Sequence, residues 1–441
     1  MKRLIYIILP LLLASLVLSS CEDIFHDASD LLAEIRDNAK GYPEPKRIFV
    51  GGDFSIMWDG YSRDSFTVLN GQGNPDGAFL SENFGIEIVG YTGTGNSGVQ
   101  AFSLGKEYVY VAGNYGGYDE SNTEVANPAY KNLHRYWLDG TKDGTMDLSY
   151  SPFSDALSTS ELYAVSSLSD STAFAGGNFD PMTVPMDGYS ELIGINSSGT
   201  GTFTIPAIPD GSVVYSVETV FDDTLTIVCG TFSTLGSETG YSNFAAIDNT
   251  TLTAIPFGVF PPNNPPLSFT QALDSAWYGD SLYIVGYETA MMEGGVLKYK
   301  ATGTGFIEDT NFYSNFTSKI SPTIFDQPYT IATDSKGRIY VGGSFYVTTE
   351  NEHQGIIRLN SDGNVDESFR TMIAGAVRSI EVQKNGKILI GGSYTQINGE
   401  SNYNGLARIL ENGNIDYEFD NSFPGGTVYA IAIQEEPQDT E

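Results

Sequence analysis

RIFVGGDF at residues 47–54 and KILIGGSY at 387–394 are the first and last of seven copies of one short pattern, an apolar run that ends in glycine. Between them stand YVYVAGNY (108–115), TAFAGGNF (172–179), LTIVCGTF (225–232), LYIVGYE (282–288) and RIYVGGSF (338–345). Their closing glycines, Gly52, Gly113, Gly177, Gly230, Gly286, Gly343 and Gly392, follow one another at intervals of 61, 64, 53, 56, 57 and 49 residues. Such an interval suits one four-stranded antiparallel sheet with its loops and exceeds a single strand pair. The repeat therefore predicts an all-β chain built as a β-propeller. It leaves the biochemistry open, because propellers host binding, catalysis and scaffolding alike.

The unit is clearest near the C-terminus. VRSIEVQ (377–383) turns through Lys384, Asn385 and Gly386 into KILIGGSY, a longer loop leads to GLARIL (405–410), and Glu411 to Asn414 turn the chain into a short strand ending at Phe419. With these strands lettered A to D, counterparts of A begin near Val99, Leu162, Val214, Ala272, Tyr329, Val377 and Val428. Counterparts of C contain Val68, Tyr136, Ile193, Ala246, Leu297, Ile357 and Ala407. The chain enters this series at a B strand and leaves it at an A strand, VYAIAI (428–433). Pairing the two completes a seventh blade and removes two exposed sheet edges. The expectation is a seven-bladed β-propeller over 46–434, closed by its N- and C-terminal strands, with an acidic tail at 435–441.

GIIRLNSDGNVDESFRTMIAGAVRSIEVQKNGKILIGGSYTQINGE (355–400), with GLARILENGNIDYEF after it, resembles the delta-60 repeat family of bacterial β-propellers. The match is close from about residue 330; the earlier units follow it in outline, with degenerate turns such as NSSGTGTF (196–203) and KATGTGF (300–306). The resemblance implies a propeller in an exported or surface protein. It supplies no catalytic residues.

Lys2 and Arg3, the apolar stretch LIYIILPLLLASLVL and the small residues Ser19 and Ser20 describe a secretory signal peptide over 1–20, too short for a stable span. Leu18, Ser19, Ser20 and Cys21 resemble the bacterial lipobox, which implies cleavage before Cys21 and a lipid anchor on it. Glu22 and Asp23 look like the acidic export tag of surface lipoproteins. The implied location is the outer membrane or cell surface. Residues 21–45 are expected to be a tether, in which Ala28, Leu31, Leu32 and Ile35 have the spacing of one short helix. The net charge is −33, more negative still once Lys2 and Arg3 are removed. That field disfavours nucleic acid as a partner.

Catalytic constellations are sparse. His26, His134 and His353 fall in separate segments with no Cys or His neighbour, which argues against a His-based metal site or triad. The Gly-Gly pairs lack the helix and the Lys-Ser/Thr of a phosphate loop and read as close strand approaches. Asn360 to Asp366 has oxygens at calcium-like spacing. Similar turns recur as DGTMD (143–147) and ENGNID (411–416), and hairpin chemistry accounts for them. No metal or cofactor is expected. Cys229, inside LTIVCG, reads as a buried inert thiol.

In an antiparallel meander the B–C loops and D–A connections share one end of the sheet. Here they hold the long insertions Asn114–Asn132, Asn178–Ser190, Phe260–Gln271 and Phe306–Pro328. Tyr61, Tyr130, Tyr189, Tyr241 and Tyr403 stand in register before C strands and read as packing residues. Trp58 and Tyr118 break that register and are the candidate ligand contacts. The function expected is a lipid-anchored binding or scaffolding module for polysaccharide or a partner protein. The alternative is a polysaccharide lyase or glycoside hydrolase built from acids and tyrosines around the central channel.

Overall fold

All seven patterned segments form strands in the computed structural model. It describes residues 43–58, 61–77, 79, 98–114, 133–141, 143, 161–168, 172–178, 191–198, 205–209, 211–220, 223–239, 243–255, 269–288, 293–302, 305–320, 327–348, 352–421 and 423–436. The chain divides into two compact units, Met1–Glu44 and Pro45–Glu441. The leader at 1–20, Cys21 and the helical spacing at 28–35 lie outside the described residues. No helix among the described residues is long and apolar enough to cross a membrane.

Strand β1 (Arg47–Trp58) pairs antiparallel with β2 (Tyr61–Leu69). A second sheet holds β3 (Gly98–Leu104), β4 (Tyr108–Asn114) and β5 (Leu133–Trp137), and a third holds β6 (Glu161–Leu168), β7 (Thr172–Asn178) and β8 (Leu192–Ile195). The fourth begins with β9 (Val214–Val220) and β10 (Leu225–Gly230). After a small hairpin of β11 (Thr234–Leu235) and β12 (Glu238–Thr239) it continues with β13 (Phe244–Asp248) and β14 (Thr253–Ile255). The fifth runs through β15 (Gln271–Tyr278), β16 (Ser281–Glu288), β17 (Glu293–Thr302) and β18 (Gly305–Glu308), followed by helix α1 (Thr310–Lys319). The sixth holds β19 (Pro328–Thr333), β20 (Ile339–Thr348) and β21 (Glu352–Leu359). The seventh sets β22 (Ile373–Val382), β24 (Glu400–Ser401) and β25 (Leu406–Ile409) along β23 (Ile388–Ile397). The last strand, β26 (Thr427–Gln434), returns to the first sheet, where Phe49 stands opposite Ala432 and Val50 opposite Ile431.

This is an all-β, propeller-like fold. The first strands of the sheets, with β26 serving the first sheet, pack on one another in the order β26, β3, β6, β9, β15, β19, β22, and β22 packs on β26. The Gly-Gly pairs explain how close these layers come. A Cβ on Gly51, Gly176, Gly342 or Gly391 would stand 2.2–2.7 Å from Val99, Val214, Val377 or Val428 of the next inner strand, so the first glycine makes room for a valine. The second glycine answers to its own sheet. A Cβ on Gly52, Gly230, Gly343 or Gly392 would lie 2.0–2.2 Å from a carbonyl oxygen of the neighbouring inner strand, where that strand bulges. The strand-approach reading of the pairs is thus the structural one.

Three arginines on outer strands lock neighbouring sheets. Arg135, Arg358 and Arg408 each sit eight residues before an aspartate, and their Nε donates to Asp143, Asp366 and Asp416 at 2.7, 2.8 and 2.7 Å. Their guanidinium groups lie over Tyr108, Phe369 and Phe419. A further N–H of each reaches a backbone carbonyl of the following sheet: Arg135 to Ser197, Arg358 to Glu411, and Arg408 to Gly71 at 2.6 Å. Lys298 makes a weaker version with Asp309 and the Ser361 carbonyl. Arg47 on β1 makes another with Asp76 and the Leu138 carbonyl.

Two expectations are corrected. The fourth strand of the unit exists as β14 and β18, but in the first, sixth and seventh sheets it shrinks to the single bridges Leu69–Pro75, Leu359–Val365 and Ile409–Ile415. The reason is that the locking aspartate spends its carboxylate on the arginine and on local N–H groups, which winds the segment into a turn. The turn read at DGTMD lies outside the described residues from Gly144 onward; the described turn that matches those of the other sheets is at Asp139–Thr141, where Gly140 has φ of 95°, as Gly73, Gly363 and Gly413 have near 90°. Finally, the insertion at 306–328 holds β18 and α1 in place of a plain loop. Asp309 caps α1 by accepting from the Phe312 N–H, while Phe312, Phe316 and Ile320 bury one stripe in the core.

Candidate functional site

Opposite each of the seven repeat glycines the inner strand carries one extra residue. Val99 and Ala101 face Gly113 and Ala112, so Gln100 is bulged out; the same displacement sets out Tyr163, Tyr215, Leu273, Tyr329, Arg378 and Tyr429. A bulge re-aims its side chain out of the pleat. All seven are half-buried. Six of them are the second or third residue of their inner strands, toward the end of the sheets to which the long connections return; Arg378 is the sixth residue of the longer β22. Four tyrosines and an arginine therefore share one level of the molecule. The Tyr163 and Tyr215 rings stand 5.9 Å apart, and the Tyr163 hydroxyl donates to Glu161. The Arg378 guanidinium lies 4.6 Å from the Tyr329 ring centre and 5.6 Å from that of Tyr429. Burial raises the Tyr163, Tyr215 and Tyr429 hydroxyls above their ordinary range, so all three act as neutral donors and acceptors.

Below this level polar groups stitch the inner strands together. Ser103 Oγ accepts the Ser167 N–H, Ser166 Oγ the Thr219 N–H, and Ser379 Oγ the Ile431 N–H. Asp274 accepts from Ser216, Thr330 and the Ser275 and Ile331 N–H groups, so one carboxylate bridges three strands. Glu218 accepts from Ser275, whereas the Glu381 carboxylate has no hydrogen-bond partner among the described residues. Each of these three acids keeps part of its surface open while lying deep in the protein. Burial pushes Glu218 and Glu381 up to about 8, and the neighbouring charge of Asp274 adds to both. Asp274 is also raised by burial, against its four donors.

These shifts have a sign. In the folded chain Glu218 and Glu381 stay protonated up to about 8, while in the unfolded chain they ionise near the ordinary 4.5. The stability that their neutral forms contribute is complete below the lower value and lost as pH rises through the upper one. Glu381→Gln, which keeps the shape and removes the charge, should flatten the decline and recover on the order of 1–3 kcal/mol at the alkaline end. Chemical denaturation across that range checks this; a variant that tracks the wild type at every pH refutes it.

The residues singled out from sequence are placed unevenly. Trp58 ends β1, its backbone opposite Tyr61 of β2, and Tyr118 lies outside the described residues, as do Tyr130, Tyr189 and Tyr241. Tyr403 is buried in the core of the seventh sheet, which is a packing role. Cys229 is wholly buried in the core between the fourth and fifth sheets, and burial holds its thiol well above the ordinary range. His134 and His353 are both buried and on different sheets; His353 Nε2 stands 3.6 Å from Glu367. In the calcium-like turn, Asp362 is taken by the Asn364 amides and Asp366 by Arg358 and Ser368. Among the described residues no group of three or more His, Cys, Asp or Glu is arranged to hold a metal ion. Sequence reasoning missed the bulge level. Its signal was the residue after the first apolar position of each A strand.

The family described as domain of unknown function (DUF5122) beta-propeller, which is associated with delta-60 repeats, matches residues 337–369 and 383–419. These two units are propeller-family sequence. They carry the Arg358–Asp366 and Arg408–Asp416 locks. No curated protein matches the chain. Among solved structures, the WD40 domain of Neurospora crassa Pan2 is similar over 80% of this chain and 87% of its own, at 11% identity and a TM-score of 0.39. Hydrazine synthase of Kuenenia stuttgartiensis is similar over 66% and 73%, at 9% identity and 0.36. A calcium-binding protein, regucalcin, from Agrobacterium tumefaciens is similar over 67% and 81%, at 11% identity and 0.37.

Proposed function

We propose that the chain is a seven-bladed propeller closed where β26 pairs with β1, held to the outer membrane or cell surface by a lipid on Cys21, and that it works as a binding module for polysaccharide or a partner protein. The observation that carries the binding reading is the bulge level: four tyrosines and one arginine on rigid inner strands, at the end of the sheets that bears the long connections. Tyrosine rings offer flat apolar faces with a polar tip, which suits sugar rings and protein anchors alike. Trp58, the last residue of β1, and Tyr118, which follows the second repeat along the chain, extend that surface in this reading. The seven-fold closure is supported by the return of β26 to β1, by the Arg408 contact to Gly71 and by the packing of β22 on β26.

Retention of the full-length protein on a panel of immobilised glycans tests the function. Tyr163→Ala with Tyr215→Ala should weaken capture about tenfold or more, at the scale of one to two stacked rings, with the melting temperature little changed. Undiminished capture removes these tyrosines from the site. The enzymatic alternative draws on one observation, two carboxylates held protonated near neutrality, as a general acid must be. Product release from the same glycans, abolished by Glu218→Gln, would favour it over the binder.

A further inference from the structure

Arg378 is set apart from the other arginines that are partly or wholly buried. Arg47, Arg135, Arg338, Arg358 and Arg408 each hold an aspartate. Arg378 has no ion-pair or hydrogen-bond partner among the described residues, and its Nε is buried without an acceptor. The protein has 55 acids for 22 lysines and arginines. A guanidinium left without a carboxylate in that surplus is held by something else: the rings of Tyr329 and Tyr429, one on each flanking inner strand. The planar group lies beside both rings, and its N–H edge has no acceptor among the described residues. That edge is the fork that binds a carboxylate through two parallel hydrogen bonds. A buried N–H without an acceptor is a standing cost that such a ligand removes.

We propose that Arg378 anchors a carboxylate-binding site at the bulge level, and that its ligand is a sugar residue bearing a single carboxylate, such as a uronic acid at the end of an oligosaccharide. The proposal rests on the binding-module reading and names the ligand chemistry. The sugar assignment comes from the neighbours: Tyr329 and Tyr429 beside the cation, with Tyr163 and Tyr215 further along the same level, offer stacking faces for pyranose rings. The single charge comes from the net charge of −33, which repels a polyanion and tolerates one carboxylate at a local cation. Asp53, exposed and within electrostatic reach of Tyr429, sharpens this limit.

Titration calorimetry on the full-length protein in detergent, with a glucuronic-acid-ended disaccharide and its methyl ester, tests the site. The acid should bind about tenfold more tightly than the ester, and Arg378→Gln should erase that difference while leaving ester binding intact. Arg378→Lys, which keeps the charge without the fork, should retain only part of it. Equal binding of acid and ester by the wild type overturns the proposal and leaves the binding-module reading standing; this comparison needs no variant to fold. Binding of a peptide C-terminal carboxylate that depends on Arg378, without sugar binding, overturns the sugar assignment. Binding of neither sugar, nor of any glycan on the panel, overturns the proposal and the polysaccharide half of the binding-module reading.

Discussion

Replacing Arg408 by methionine should lower the unfolding free energy by about 3–5 kcal/mol, the cost of breaking a buried ion pair on one side. Arg408 is wholly buried on β25, with Asp416 almost as enclosed. Methionine fills most of the space over Phe419 but leaves the Asp416 carboxylate and the Gly71 carbonyl without their donor. Lys387, 3.2 Å from Asp416, offsets part of the loss. Burial pushes the Asp416 carboxyl up, but the Glu418 N–H, Arg408 and Lys387 outweigh it and hold the group below the usual carboxylate range. Its contribution is therefore present above the ordinary aspartate value and lost as pH falls through the lowered one. The deficit of the variant should accordingly shrink on acidification. Denaturant titration of both proteins at neutral and acidic pH measures this. A loss under about 1 kcal/mol, the size for an exposed pair, would refute the locking role.

Removing residues 427–441 should leave a chain that does not fold to a soluble monomer. β26 closes the hydrogen-bonding edge of β1 along Arg47–Asp53, and its Val428 fills the room opened by Gly391 on the seventh sheet. Val428 and Ile431 also complete a core shared with Ile48, Val50, Leu389, Leu406 and Phe419, residues drawn from both ends of the chain. Loss of two such side chains costs about 2–5 kcal/mol each, before counting the strand hydrogen bonds. That sum is comparable with the whole stability of a domain, about 5–15 kcal/mol. An open, apolar β1 edge would also recruit other chains. Expression of the truncated chain, with soluble yield and near-UV circular dichroism as readouts, is decisive. A soluble, cooperatively unfolding product would show that the first and last sheets do not depend on each other.

Much of the architecture was legible before any coordinates. The seven glycine-ended runs are the second strands of seven sheets, and every residue named for an A or a C strand lies in one. Strands announce themselves through apolar runs and punctuation because burial and turn geometry act locally. The fourth strands were less legible. Their residues satisfy the strand pattern, but the carboxylates of Asp76, Asp366 and Asp416 are drawn to arginines, and a tertiary partner decides between strand and turn.

The candidate site was barely legible, and the reason is physical. The bulge residues share a position and no chemistry: Gln100, Tyr163, Tyr215, Leu273, Tyr329, Arg378 and Tyr429 form no motif along the chain. The glycine opposite the bulge is conspicuous in the sequence because, at Gly52, Gly113, Gly230, Gly343 and Gly392, a Cβ would meet a backbone oxygen first, a constraint that only glycine relieves. The amino-acid sequence by itself thus determined the repeat, its strands and where backbones must touch, since each follows from the residue's own shape and its near neighbours. Only the tertiary structure decided that the touch is a bulge, that seven bulges share one level, and that Arg378 lies beside tyrosines from two other sheets. Those facts depend on which strands become neighbours after more than forty intervening residues, and no local preference encodes them.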